Sequence, residues 1–362
     1  MAFQVTDVVD RKSDLWRTLH ALPKIELHRH LEGSIRLETL VEVAQEHEIS
    51  LPSYDPEGLR PYVQMTAQDS PDVITFLSKF DVLRRFFCSP QVIKRVVREC
   101  VEDAAADQIR YMELRFTPNA LAKAKGYDLM EVVGWVCDTV REAEKANSIR
   151  VNLIVSMNRH ESLEIGEKTL EVALAHREHG VVALDLAGKE PGFPARPFGH
   201  LFREAKRAGM GITIHASEWE GPENVRDAIE NLRTDRIGHG VRSVEHSEII
   251  KLVREKQVAF EVCPTSNIQT GVVGYLGHHP VLDLHYLDVP ITINTDDPAI
   301  HGISLTDEYA LAVQGLGMSM HDIHRIIIRA AEVSFLPDDE RGQLINGLKR
   351  ELGTSQYRGI WH

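Results

Sequence analysis

Eight short runs rich in β-branched and apolar residues recur along the chain, each separated from the next by a longer stretch of helical periodicity. They are KIELHRH (24–30), IRYMELRFTP (109–118), RVNLIVSMNR (150–159), VVALDLAG (181–188), GITIHASE (211–218), RIGHG (236–240), VAFEVCPTS (258–266) and ITINTDDP (291–298). Strands that alternate with helices join as βαβ units and build a parallel sheet. Eight such units predict a closed (β/α)8 barrel of the TIM type rather than an open doubly wound sheet. The intervening segments carry the matching period: in SPQVIKRVVRECVEDAAAD, Val92, Val96 and Cys100 form one stripe with Ile93, Val97 and Val101 beside it. EKTLEVALAHREHG ends on a glycine suited to a helix C-terminus, and NVRDAIENLR and HSEIIKLVREK supply later crossovers. A length of 362 residues suits one such barrel with insertions, so residues 1–362 read as a single domain.

One connection is too long for a simple crossover. Between the first and second strands, over about residues 35–105, several helical patterns follow one another, including DVITFLSKFDVLRRFF. We read this as a helical excursion over one end of the barrel, with Phe76, Leu77 and Phe80 either packed in it or lining a pocket mouth. The tail from about 305 to 362 reads as helices that close the barrel. A formal charge of −13 argues against a nucleic-acid partner, which needs basic surface. No run reaches the roughly 18 apolar residues of a membrane helix, and the N-terminus lacks the basic and apolar regions of a secretory signal. The four cysteines form no CxxC pair, which fits a reduced, cytoplasmic protein.

In a barrel of this kind the reactive groups lie at the C-terminal ends of the strands. His28 and His30 end the first strand; as residues i and i+2 they project to one face, close enough to hold one ion. The fourth ends in Asp185 and Gly188, the fifth in His215 and Glu218, the sixth in His239, and the eighth in Asp296 and Asp297. Any one of these has a dull reading, such as a core histidine or an Asx turn before a proline. Histidine, glutamate and aspartate converging on one rim point to a metal-dependent hydrolase. His28, His30, His215 and Asp296 then supply three imidazoles and a carboxylate, with room for a water; zinc suits that donor set, as do other divalent transition metals. Glu218 and His239 remain beside it, one to exchange protons and the other to orient the water.

The set HRHLEGS, DLAGKE, HASE, GHG and NTDDP, together with FLSKFD and EDAAADQIRYMELRFTP, closely resembles the adenosine deaminase family of metal-dependent aminohydrolases, from LPKIELHRH to FLPDDE. The resemblance implies hydrolytic deamination at C6 of a 6-aminopurine nucleoside by a metal-activated hydroxide, adenosine giving inosine and ammonia. It implies one Zn2+ per chain on His28, His30, His215 and Asp296. It assigns Glu218 to protonating purine N1, His239 to holding and deprotonating the water, Asp297 to N7 and the Gly188 N–H to N3. His30, Glu32, Phe76 and Phe80 complete the substrate pocket. Charge pushed onto N1 makes a protonated Glu218 worth more in the transition state than in the ground state, so its pKa must be raised.

Two departures matter. Adenosine-specific members place Asp after HxHL, at the sugar 5′-hydroxyl, where this chain has Glu32; glutamate resembles members acting on adenine or aminodeoxyfutalosine. HASE replaces HAGE, with Ser217 expected to point away from ligand and acid. A binuclear amidohydrolase is the distant alternative; it needs a bridging group, often a modified lysine, at the end of the fourth strand, and Lys189 falls past Gly188 in the loop. A non-catalytic binder is a further alternative, opposed by the filled catalytic positions.

Overall fold

A computed structural model of the chain describes residues 2–354, so the last eight residues of the predicted tail lie outside the described residues. Eight parallel strands follow in sequence order: β1 (Lys24–His30), β2 (Ile109–Phe116), β3 (Arg150–Asn158), β4 (Val181–Ala187), β5 (Gly211–Ala216), β6 (Arg236–His239), β7 (Ala259–Val262) and β8 (Ile291–Ile293). The ring closes through a parallel bridge between Arg29 and Asp296, where the Asp296 N–H donates to His28 O and the His30 N–H to Asp296 O, each at 2.8 Å. The predicted (β/α)8 barrel is therefore the observed fold.

Seven of the predicted runs extend past the observed strand ends, most by one or two residues, the last two by four and five. β7 stops at Val262 and β8 at Ile293, and Pro264 and Pro298 each open a short helix, Pro264–Gln269 and Pro298–His301. Proline cannot donate to a central ladder but is tolerated in the first turn of a helix, where no intrahelical partner is needed. The motif residues of those runs therefore stand on strand-to-helix turns.

The excursion between β1 and β2 is helical as predicted: Leu37–Glu46, Pro56–Val63, Val73–Leu83 and Pro90–Ala106. Asp72 caps the third of these, its Oδ1 accepting the Ile74 and Thr75 N–H groups at 2.9 Å. Lys79 anchors it from within, donating to Asp69 Oδ1 at 2.9 Å and to Pro61 O at 2.7 Å. The tail forms helices Leu305–Gln314, Met320–Glu332 and Asp338–Thr354. Among the described residues no helix is long and apolar enough to cross a membrane.

The barrel interior is charged rather than layered with aliphatic side chains. Ile25 and Leu27 turn outward to the apolar core, while Glu26 and His28 turn in, all of them fully buried. Arg115 donates to Glu261 at 2.7 Å, and Arg236 bridges Glu261 and Glu113 at 2.5 Å each. Buried charges persist only when paired and hydrogen-bonded in this way. The network supports the floor of the site above it.

Candidate active site

One donor atom from each of His28, His30, His215 and Asp296 lies within 4.8 Å of the others. Asp296 Oδ1 stands 3.3 Å from His28 Nε2 and 3.4 Å from His30 Nε2. Two ligands bound at about 2.0–2.1 Å in tetrahedral geometry stand about 3.4 Å apart, so the spacing fits a zinc-sized ion. The hydrogen bonds around the rings fit it as well. His28 Nδ1 meets Glu261 Oε2 at 2.8 Å, and His215 Nδ1 meets Asp185 Oδ1 at 2.9 Å. A carboxylate only accepts, so each Nδ1 carries the hydrogen and each Nε2 keeps its lone pair for the cluster. His28 Nε2 is buried without a hydrogen-bond partner. Burial alone would raise the Asp185 and Glu261 pKa values, but His215 and Arg115 hold Asp185, and Arg115 and Arg236 hold Glu261, below the ordinary carboxylate range.

The turns that present these groups are strained. Ser217, His239 and Asp296 have positive φ of 56°, 63° and 64°, just beyond β5, at the end of β6 and just beyond β8. Left-handed backbone costs a side-chain-bearing residue roughly 1–3 kcal/mol, and such strain gathers at functional sites. Gly188 (φ 83°) needs its missing side chain: a Cβ there would fall 2.7 Å from His160 Nδ1 and 2.9 Å from Asn158 Oδ1.

Glu218 Oε2 lies 3.6 Å from His239 Nε2. Burial, then the charges of Asp296 and Glu190, push its pKa well above the ordinary carboxylate value, the direction that favours the protonated acid. Burial and the adjacent Asp296 do the same to Asp297, whose Oδ1 has no hydrogen-bond partner. His239 is backed by a relay: the Val281 N–H donates to His279 Nδ1 at 3.2 Å, His279 Nε2 meets Asn267 Oδ1 at 3.4 Å, and Asn267 Nδ2 meets His239 Nδ1 at 3.1 Å. Glu32 accepts the Thr117 N–H through Oε1 at 2.7 Å and leaves Oε2 unpartnered; burial raises it to about 7.

These groups share one pocket. His30, Glu32, Gly188, His215, Glu218, His239, Asp296 and Asp297 line it, with Phe76 and Phe80 as its apolar wall. The phenyl rings meet edge to face at 5.5 Å, and Phe76 stacks on His301 at 5.4 Å. His28 sits beneath, fully buried and outside the lining. Lys189 is exposed and does not line the pocket, so it offers no bridge for a second metal.

Sequence reading missed several residues. Glu261, which orients His28, is the lone charge in the apolar run VAFEVC, and that parity could have flagged it. Arg84, Thr117, Asn158, His160 and Trp219 line the pocket with no motif to mark them. Glu190 closes the quoted motif DLAGKE but was given no role. Its carboxylate accepts the N–H groups of Ser217 and Trp219 at 2.8 Å, those of Glu218 and Glu220 at 3.1 Å, and Asn224 Nδ2 at 2.8 Å. One buried side chain thus gathers the whole turn that carries Glu218.

A closed parallel barrel with imidazoles, carboxylates and a buried acid of raised pKa converging at its C-terminal mouth defines the class, a (β/α)8-barrel hydrolase. The comparisons narrow it. The adenosine deaminase family profile matches residues 23–351. The chain is 39% identical over 323 residues to the adenosine deaminase of Shigella flexneri serotype 5b (strain 8401), covering 89% of this chain and 96% of that one. The crystal structure of an adenine deaminase from Arthrobacter aurescens is similar with a TM-score of 0.85 at 26% identity, covering 92% of this chain and 99% of that one. The N6-methyl-AMP deaminase of Arabidopsis thaliana gives a TM-score of 0.81 at 28% identity, with coverage of 92% and 98%. The chain belongs to the adenosine deaminase family and is a hydrolase of C–N bonds, a deaminase.

Proposed function

We propose that this protein deaminates a 6-aminopurine nucleoside at C6, releasing ammonia and the 6-oxopurine, with adenosine as the reference substrate. The observation that carries the reading is a buried Glu218 of raised pKa standing 3.6 Å from His239 in the pocket that the four-donor cluster borders. His28, His30, His215 and Asp296 would hold one divalent ion, zinc being the best match to the donors. Such an ion supplies a water acidified to near pH 7 and a positive charge beside the reacting carbon.

The chain's own residues supply the rest. Glu218 donates its proton to the purine ring nitrogen N1 as attack at C6 drives electrons there, an interaction stronger in the transition state than in the ground state. Asp297, whose pKa burial and Asp296 raise, offers an O–H to N7 in its protonated form, and the Gly188 N–H faces N3. His239 holds the attacking water through Nε2. The relay keeps the Asn267 oxygen on His279 and its NH2 on His239 Nδ1, so the ring hydrogen of His239 sits on Nε2 and the residue acts on the water by orienting it. Phe76 and Phe80 cover the base and exclude water. Glu32 faces the sugar.

Purine substrates differ among the relatives: the Arthrobacter protein is an adenine deaminase and the Arabidopsis protein acts on N6-methyl-AMP. The test is ammonia release from adenosine, adenine and aminodeoxyfutalosine, side by side, with metal-loaded protein. The reading expects turnover of a nucleoside to exceed that of free adenine. Adenine as the best substrate would replace the nucleoside reading with a nucleobase one, and silence on all three would refute C6 deamination of these purines.

A further inference from the structure

Arg84 is the one lysine or arginine among the residues that line the pocket; the ionisable groups around it are acids and histidines. It follows the helix Val73–Leu83, whose Phe76 and Phe80 form the apolar wall. Its guanidinium lies 5.5 Å from the centroid of the Phe80 ring. Its Nε is buried and has no hydrogen-bond partner. Among the described residues it has no ion-pair partner; Arg115 and Arg159 also leave buried nitrogens unpaired, but they, Arg29 and Arg236 each donate to a protein oxygen through another nitrogen, and no such bond is seen for Arg84.

A guanidinium that leaves a buried donor unpaired carries a desolvation cost that a bound acceptor would remove. The protein does not supply that acceptor. Glu32, whose carboxylate feels the Arg84 charge, is committed through Oε1 to the Thr117 N–H and does not pair with it. The side chain rests on Phe80 and its charge acts on Glu32, the acid that faces the sugar, and on His160, so a ligand group reaching it would come from the sugar end of the nucleoside. Guanidinium nitrogens match the paired oxygens of a phosphate or carboxylate in plane and spacing.

We infer that the substrate is a 6-aminopurine nucleoside whose sugar end carries an oxyanion, phosphate or carboxylate, bound by Arg84 while Glu32 Oε2 accepts a neighbouring sugar hydroxyl. This rests on the deaminase reading of the same pocket and specifies it. It also gives a reason for the longer acid at position 32, which reaches back to the Thr117 N–H and leaves the mouth of the pocket open to a substituent beyond the sugar.

The experiment measures kcat/KM for ammonia release from adenosine, adenosine 5′-monophosphate and adenosine-5′-carboxylate, at low and at 0.5 M salt, in the wild type and in R84M and R84K. The inference expects at least a tenfold preference for one of the anionic substrates over adenosine in the wild type, weakened by salt. R84M should reduce that preference ratio at least tenfold, and R84K should restore part of it. Whether the phosphate or the carboxylate wins identifies the oxyanion. A wild type that prefers adenosine, or an R84M that lowers all three substrates equally, overturns the inference and leaves the deaminase reading intact. If no purine releases ammonia, the deaminase reading fails, and calorimetric binding of inosine 5′-monophosphate decides the anion site. Binding lost in R84M sustains that site, and binding unaffected by the substitution or absent from the wild type refutes it.

Discussion

Replacing Glu190 by glutamine tests how the turn bearing Glu218 is held. The carboxylate accepts five donors, four of them consecutive backbone N–H groups from Ser217 to Glu220, at 2.8–3.1 Å. Ser217 and Glu218 are buried, at 0% and 2% exposure, and their N–H groups go to different oxygens, Oε1 and Oε2. The amide of E190Q keeps one oxygen and turns an NH2 toward the donors of the other, so one of these two buried N–H groups loses its acceptor and water cannot replace it. An unpaired buried donor costs about 1–3 kcal/mol before the turn relaxes. Part of that loss will appear as misplacement of Glu218, which hangs on the same turn. We expect E190Q to lower unfolding stability by about 1–3 kcal/mol in urea and kcat by about 10–100-fold, equivalent to about 1.4–2.8 kcal/mol. Metal content should not change, because none of the Glu190 partners belongs to the cluster. Urea unfolding, steady-state ammonia release and elemental analysis read the three quantities. An E190Q protein with parental kcat and parental stability would refute the reasoning, and loss of metal would mean that Glu190 supports the cluster rather than the acid.

Elemental analysis should find one divalent ion per chain, and chelation should abolish ammonia release until a divalent metal is restored; two ions per chain would favour a binuclear site. Burial lowers His279 to about 3 in the folded chain, against an ordinary value near 6.5 when unfolded, so between those values the unfolded state binds the extra proton and stability falls with falling pH. From pH 7.5 to 5.5 this one group should cost about 1.4 kcal/mol, and H279Q should flatten the stability–pH curve by that amount, read by urea unfolding at each pH. Substituting Phe76 and Phe80 by alanine should reduce discrimination among purine substrates as well as affinity; discrimination unchanged in both variants would remove the aromatic wall from the recognition of the base.

The barrel was legible because strand and helix patterns alternate eight times and because five of the eight strands, the first, fourth, fifth, sixth and eighth, end in a chemically distinctive motif. His28 and His30 are legible as a pair since the period of a strand is two. Strand ends were not: Pro264 and Pro298 read as punctuation within a strand, while in the fold they start helices and lift Asp296 and Asp297 onto a turn. The positive φ of His239 and Asp296 has no signature, for neither residue type advertises left-handed backbone as glycine does. Arg84 and Glu190 act through groups distant in sequence or through backbone N–H groups, and a pattern of side chains says nothing of either. Glu261 lies between: its strand is apolar, and a lone acid on the inward parity has to be paired by something, here His28, Arg115 and Arg236.

The central claim is that a protonated Glu218, set beside a metal-holding cluster, drives deamination. Ammonia release from the preferred 6-aminopurine nucleoside by E218Q, measured on protein whose metal content equals that of the wild type, tests it most directly. The account predicts a folded, metal-replete protein with kcat/KM reduced at least a hundredfold, since glutamine has the size of the acid but no proton to give N1. Turnover within a few-fold of the wild type would contradict the role of Glu218 and, with it, the chemistry assigned to the site.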